Sequence, residues 1–149
     1  MRAEGATTFD APRETVWRVL IHPQSIAQTM PGVEHVSVQD DDHWTVHAKL
    51  PLGLIRPRMT VACELVERRE PEFAQLLARG ESVAGKLRMT TSFELADAAD
   101  ATTSMQWRAD VDLSGRIASV GARVIEPLVE RQVKRVMESL KQQVHAEAA

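Results

Sequence analysis

The sequence of 149 residues contains a single cysteine, Cys63, and no tyrosine. One thiol excludes an internal disulfide, and it excludes metal or redox sites that are built on paired cysteines. A lone cysteine fits a reducing compartment, so we expect a cytoplasmic protein. Because tyrosine is absent, no phenol group requires a hydrogen-bond partner in the interior.

An excess of positive charge and long hydrophobic runs are missing as well. There are 18 basic and 21 acidic residues, which gives a net charge of −3. Nucleic-acid binding needs a broad positive field, so we predict no nucleic-acid partner. No stretch approaches the roughly 18 consecutive apolar residues of a membrane span, and residues 1–5 lack the apolar core of a signal peptide. We expect neither a transmembrane segment nor a secretory leader.

The composition that remains is typical of one ordinary globular domain. Hydrophobic residues make up 44% of the chain and charged residues 26%. A chain of this length buries roughly 70% of its unfolded surface, so a single core can stabilise it. Glycine and proline are scattered between periodic segments, and there is no repeat or linker. We predict one domain that covers residues 1–149.

The chain is predicted to begin with a short strand and two short helices. The strand covers Gly5–Phe9. Pro12 suits the first turn of a helix, where its missing N–H group is not needed. His22-Pro23 ends this helix, and a second one is predicted from about Gln24 to Gln28.

From Val33 onward, apolar residues alternate with polar ones, which is typical of strands that have one covered face and one wet face. Hairpin turns are predicted at Asp40–Asp42, at Arg68–Pro71 and at Asp97–Asp100. The pattern therefore predicts an antiparallel meander of about six strands after the first one. The predicted inward residues are Trp44, Val46, Ala48 and Leu50; Met59, Val61, Cys63 and Leu65; Leu87, Met89 and Phe93; and Met105, Trp107, Ala109, Val111 and Leu113.

The last segment predicts a long amphipathic helix from Gly121 to Val144. At 1.5 Å per residue this helix is roughly 36 Å long. Seven strands spaced about 4.8 Å apart are nearly as wide, so the helix can cross the covered face of the whole sheet. Pro127 removes one backbone hydrogen bond, and it predicts either a kink or a break at which a second helix begins.

This layout is an α+β fold in which a curved sheet grips one helix, and a cylinder cannot fill such a concavity alone. We therefore predict an internal apolar pocket for a small hydrophobic ligand. The same side chains could also simply fill the core, and the sequence leaves that alternative open. The predicted ligand-binding residues are Trp44, Met59, Val61, Met89, Phe93, Trp107 and Leu128.

Chemical motifs give no catalytic residue, no metal site and no cofactor. His43 and His47 would form a zinc pair on a helix, but on a strand they lie about 13 Å apart. Asp110 and Asp112 share a strand face that we interpret as the wet one. Cys63 alternates with apolar neighbours, which indicates a small buried hydrophobe rather than a nucleophile. Phosphate-binding, dinucleotide-binding and serine-nucleophile motifs are absent.

Several motifs together carry a resemblance to known proteins over essentially the whole chain. The order of elements resembles the START-like helix-grip superfamily of lipid-transfer START domains, birch-pollen allergens and polyketide cyclases. More narrowly, the sequence is similar to the family of the carbon monoxide dehydrogenase G subunit. The matching stretches are Ala11–Trp17, Met30–Val33, Leu52–Ile55, the glycines Gly80 and Gly85, and Gly115–Gly121.

The resemblance implies a curved antiparallel sheet of about seven strands around a long C-terminal helix. It further implies a non-catalytic accessory or carrier protein that binds a quinone or a lipid and serves a molybdenum hydroxylase such as carbon monoxide dehydrogenase. Two alternatives stay open: a cyclase- or hydratase-type enzyme that uses the same cavity, and an assembly factor without a ligand.

Membrane attachment is less well supported by the resemblance. Many members continue into a Pro/Ala-rich linker and a hydrophobic tail, whereas this sequence stops at Ala149. It also has Arg135-Val136-Met137 where the family often has paired aromatic residues. We expect no anchoring tail and leave peripheral membrane contact open. The apolar loop Leu52–Ile55 is predicted at a hairpin tip or pocket rim, as a mobile lid, a partner contact or packing.

Overall fold

The computed structural model describes residues 1–29, 32–50 and 56–148. Strands and helices follow one another in the predicted order, with two short helices after the first strand and a long helix at the end. Their bounds are β1 Arg2–Phe9, α1 Arg13–Ile21, α2 Pro23–Thr29, β2 Val33–Asp40, β3 His43–Lys49, β4 Arg58–Arg69, β5 Phe73–Ser82, β6 Gly85–Ala98, β7 Thr102–Ser114, α3 Arg116–Ser119 and α4 Ala122–Ala148.

The strands form one seven-stranded antiparallel sheet in the order β1-β7-β6-β5-β4-β3-β2. The predicted helix-grip fold is therefore confirmed. The meander from β2 to β7 contains the six strands that the alternation predicted. The first strand starts at Arg2, earlier than the predicted Gly5, because its additional residues pair with β7 as far as Asp110.

One face of the sheet forms the core. Paired residues on neighbouring antiparallel strands point to the same face. Trp44 lies opposite Cys63, and Cys63 lies opposite Ala78, so these three side chains share the covered face. The predicted inward residues of β3 and β4 are all buried within the described range. The parity of the sequence pattern is thus confirmed.

Helices α1 and α2 cover one part of this face. The carbonyl oxygen of Pro12 accepts hydrogen bonds from the N–H groups of Thr15 and Val16, so Pro12 precedes the helix instead of lying in its first turn. Val16 and Trp17 are almost completely buried. His22 is extended and separates α1 from α2, as predicted.

The predicted long C-terminal helix is confirmed. α4 is continuous from Ala122 to Ala148 with Pro127 inside it, so the alternative of a second helix that begins at Pro127 is wrong. A break between α3 and α4 lies at Gly121, whose φ of +90° is a conformation that glycine adopts readily. The carbonyl oxygen of Gly121 then accepts hydrogen bonds from the N–H groups of Val124 and Ile125 at the start of α4.

Two glycines with positive φ provide a matched stability test. At Gly85, an added Cβ would clash with the carbonyl oxygen of Ser114, whereas at Gly121 nothing lies within 4 Å. We expect Gly121→Ala to cost about 1–2 kcal/mol, because alanine disfavours this backbone region. Gly85→Ala should cost more, since the backbone of β7 must also move. Urea denaturation of both variants measures this difference, and equal losses would contradict the steric argument.

Candidate functional site

Burial on the inner face of the sheet is not uniform. On β3 and β4, Trp44, Met59 and Val61 are exposed by only 1%, 2% and 6%. On β6 and β7, Met89 and Trp107 belong to the same face but are only partly buried. Leu95 and Met105, at the other end of the same two strands, are buried. The half-open apolar surface is therefore confined to the stretch of β6 and β7 that contains Met89 and Trp107.

Helix α4 shows the matching gradient along its length. Near its C-terminal end, Leu140 and Val144 are buried, and α4 packs against α1 and α2. The side-chain N–H group of Gln143 donates to the carbonyl oxygen of Ser25 at 3.1 Å, which ties α4 to α2. Ile125 is buried in the first turn of α4, but the apolar residues Leu128 and Val133 that follow are only half-buried. The stretch of α4 after its first turn is therefore less covered than its C-terminal end.

Small residues deepen the half-open region of the sheet. Ala3, Ala109 and Thr91 lie side by side on the inner face across β1, β7 and β6. The next row contains Trp107, whose ring lies against Gly5 so closely that an added Cβ there would be 2.9 Å from a ring carbon. Short side chains in one row and a large ring in the next make the inner surface of the sheet uneven at this place.

The polarity of this inner face limits its chemistry. At the central inner positions of β3 to β7 there is no carboxylate, imidazole, ammonium or guanidinium group. The charged residues that share this face, Arg68 and Asp97, lie at strand ends. Arg68 pairs with Asp42 at 2.8 Å, and Asp97 lies 3.5 Å from Arg13. The centre of the face can therefore hold apolar groups, but it offers no acid–base pair.

The acidic residues of β7 lie on the other face, as predicted. Asp110 pairs with Arg2 at 2.8 Å on the outer face. The hydrogen bond from the Arg2 guanidinium holds the pKa of Asp110 below its usual range. Asp112, two residues further on, also lies outward and is exposed. These carboxylates belong to the solvated surface and not to the interior.

His43 and His47 do not form a metal pair. The ring nitrogens of His43 lie 2.8 Å from an Asp40 oxygen and 3.4 Å from a Glu64 oxygen. Its hydrogen bond with Asp40 raises the pKa of His43. His47 lies elsewhere on the outer face. Within the described ranges, no group of three or more His, Cys, Asp or Glu residues could hold a metal ion.

Cys63 has the environment of a core residue. It is buried opposite Trp44 and Ala78, and this burial raises the pKa of its thiol to about 11. A thiol that keeps its proton is a poor nucleophile. The interpretation of Cys63 as a small buried hydrophobe is therefore favoured by its surroundings.

The raised pKa of Cys63 predicts a loss of stability in alkali. The folded state keeps the thiol proton up to about pH 11, whereas an ordinary thiol loses it near 9.0. The contribution is therefore complete below the ordinary pKa, and it falls by up to about 3 kcal/mol as pH rises through this window. Urea denaturation across the window should show a steeper decline for the native chain than for Cys63→Ala. Parallel curves would contradict the prediction.

The structure divides the seven predicted ligand-binding residues into two groups. Trp44, Met59 and Val61 are almost completely buried in the core, and their contact with a ligand stays a prediction. The other four are only half-buried and stay predicted ligand contacts as well. Sequence reasoning did not single out Leu76, Leu87, Val111 and Leu113, which are half-buried on the same face. The alternation placed three of them inward, but it carries no signal for depth of burial. The four half-buried residues among the predicted ligand contacts are Met89, Phe93, Trp107 and Leu128.

Two of the surface clefts that the described residues form lie away from the space between the sheet and α4. One, of about 540 Å³, lies between α2 and β2. The other, of about 670 Å³, lies at the outer side of β2 to β5. The predicted rim loop Leu52–Ile55, together with Met30 and Pro31, falls outside the described residues.

Comparison with known proteins settles the family. The family model for the carbon monoxide dehydrogenase G subunit (CoxG) matches residues 5–145. The chain belongs to the CoxG family. This match spans β1 through nearly the whole of α4, so the helix grip described above is the fold of a CoxG protein. No curated protein matches the chain significantly.

Solved structures support the fold of this CoxG family member. A conserved protein from Geobacillus kaustophilus is 15% identical with a TM-score of 0.90, covering 100% of this chain and 98% of that one. A START superfamily protein from Mycobacterium smegmatis is 12% identical with a TM-score of 0.72, covering 97% of each chain. The Zhui aromatase/cyclase from Streptomyces sp. R1128 is 15% identical with a TM-score of 0.72, covering 100% and 96%. These likenesses show the fold alone.

The described helices of this family member include no candidate membrane span. None of them combines the length and the apolar character that crossing a bilayer requires.

Proposed function

We propose that this CoxG family member is a non-catalytic carrier that holds a small hydrophobic ligand between the sheet and the first half of α4. One observation carries the proposal: the half-buried inner face of β6 and β7 is apolar and lacks titratable groups at its centre. Exposed apolar area is costly, and a ligand that covers it recovers that free energy. Met89, Phe93, Trp107 and Leu128 are the proposed wall.

The chemistry of the wall selects an uncharged ligand. A buried charge without a partner is strongly unfavourable, and the central inner face offers none. Aromatic and thioether side chains accommodate flat or irregular apolar molecules. A quinone or a lipid meets these requirements. We infer from the family that the ligand serves a molybdenum hydroxylase of the carbon monoxide dehydrogenase type in the cytoplasm, where the single free thiol of Cys63 would persist.

The decisive experiment looks for the ligand directly. Protein purified without detergent would be extracted and analysed by mass spectrometry, and the emptied chain would be titrated with a short-tailed quinone and with a fatty acid. We expect saturable binding of one molecule per chain. If no molecule co-purifies and no saturable binding is found, the carrier proposal is overturned. That result would favour an assembly factor whose outer surface is the interface.

Catalysis is the competing use of the same cavity. A cyclase or hydratase needs at least two groups that exchange protons within reach of the substrate. His47, Asp110 and Asp112 all point away from the interior. Reactive polyketide-like substrates should therefore cyclise at the same rate with the protein as in buffer alone. Catalysed turnover would reverse this preference.

A further inference from the structure

Two histidines face each other on the outer surface, away from the proposed cavity. His35 of β2 lies opposite His47 of β3 in the sheet register. Their rings are stacked, with centroids 5.8 Å apart and planes inclined by 29°. Both residues are exposed. The pair therefore presents two imidazoles to solvent at one point of the sheet.

A local irregularity of β2 creates this juxtaposition. The register between β2 and β3 shifts between Val33 and His35, so Glu34 is an extra residue there. Such bulges re-aim side chains. Without the extra residue, His35 would fall on the inner face with Val33, because side chains alternate along a strand. The bulge therefore places His35, which is distant from His47 in the sequence, directly opposite His47 on the neighbouring strand.

Neighbouring groups orient one of the rings. The Nδ1 atom of His47 lies 3.4 Å from the Thr60 hydroxyl oxygen. A hydrogen bond at Nδ1 leaves Nε2 of His47 available to a metal ion, as happens at metal-ligating histidines. Glu34, beside the pair, contacts Arg58 at 3.4 Å. No third protein ligand is supplied by the described surroundings of the two rings.

We propose that His35 and His47 together bind one transition-metal ion of the Zn²⁺ or Cu²⁺ class. Neutral imidazole nitrogens are preferred ligands of these ions, at about 2.0–2.1 Å for zinc. Two such nitrogens lie roughly 3.3 Å apart on a tetrahedral ion. Rotation of the stacked rings about their Cβ–Cγ bonds brings their edges towards a shared point. Waters complete the coordination, so the binding is reversible and of micromolar order.

A bound ion would also change the sheet edge. Within the described part of the chain, β2 is an edge strand whose one partner is β3, and its register is irregular at both ends. A metal held by His35 and His47 links the two strands across the ladder. Hydrogen exchange of β2 amides should therefore slow when the ion binds, because this strand opens less often.

The test uses the full chain without a histidine tag. Zn²⁺ is titrated by calorimetry, and the imidazole signals are followed by NMR. We expect one ion per chain, shifts confined to His35 and His47, and no response to Mg²⁺, which prefers oxygen ligands. His35→Gln and His47→Gln should each weaken zinc binding by about tenfold or more. His145→Gln, an exposed histidine on α4, is the matched control and should bind normally.

Several outcomes would overturn the metal site. Unchanged zinc affinity in His47→Gln, or first shifts at His43 or His145, would show that the ion binds elsewhere. If calorimetry detects no heat of zinc binding and NMR detects no shift of the imidazole signals, the two stacked rings only pack against each other. Circular dichroism of each variant without metal checks that the fold is intact.

Discussion

Replacing Trp44 with alanine is expected to lower the free energy of unfolding by about 3–5 kcal/mol. The Trp44 side chain is only 1% exposed and lies between Val38 on β2 and Cys63 on β4. Its removal leaves a cavity that the strands around it cannot collapse to fill. Urea denaturation followed by far-ultraviolet circular dichroism measures the loss without depending on tryptophan fluorescence.

Trp107→Ala is the matched control, because the same change is made on the same face of the sheet. Trp107 is only partly buried, so less packing is lost and the destabilisation should be clearly smaller. Binding should respond in the opposite order: quinone affinity falls by about tenfold or more in Trp107→Ala and changes little in a folded Trp44 variant. Equal stability losses with equal affinities would show that the two rings play the same structural role.

The contrast between these tryptophans marks the limit of sequence reasoning. Alternation along β3 and β7 assigns Trp44 and Trp107 to the inner face, and both assignments are confirmed. Depth of burial depends on what lies above each strand. α1 and α2 pack close to α4 at its C-terminal end, and that arrangement is set by contacts between segments far apart in the chain. No local pattern in either strand records it.

The C-terminal segment shows a local rule overridden by its context. Proline disrupts a helix interior, so the local rule favours a break at Pro127. In the structure the helix continues through it, and Gly121 takes the left-handed conformation instead. Pro127 removes only one backbone hydrogen bond of this 27-residue helix, the one that its N–H would donate to the carbonyl oxygen of Arg123. The apolar spacing that predicted one long helix was the stronger signal.

The histidine pair depends on a feature that no pattern predicted. Alternation placed His47 on the wet face, which the structure confirms. The orientation of His35 depends on the extra residue Glu34, and a bulge reverses the face of every residue that follows it. A sequence pattern that assumes a regular strand therefore cannot bring these two rings together.

Ala109→Trp is expected to abolish ligand binding while the fold is kept, with an affinity loss of about a hundredfold or more, or roughly 2.8 kcal/mol. Ala109 lies between Ala3 and Thr91 in the row of small inner residues. An indole there would occupy the room above the sheet that the ligand needs. Calorimetric titration with the quinone measures the effect, and the unfolding midpoint shows whether overpacking, about 1–3 kcal/mol, has cost stability.

Gln106→Trp supplies the control on the same strand. Gln106 is exposed on the outer face of β7, so the same indole is added where no ligand is proposed. We expect native affinity in this variant. If Ala109→Trp also binds normally, the ligand does not lie above β7 and the carrier proposal loses its site. If only Ala109→Trp fails while its unfolding midpoint is retained, steric filling of the half-open region is the cause, because the two variants differ only in the face that carries the ring.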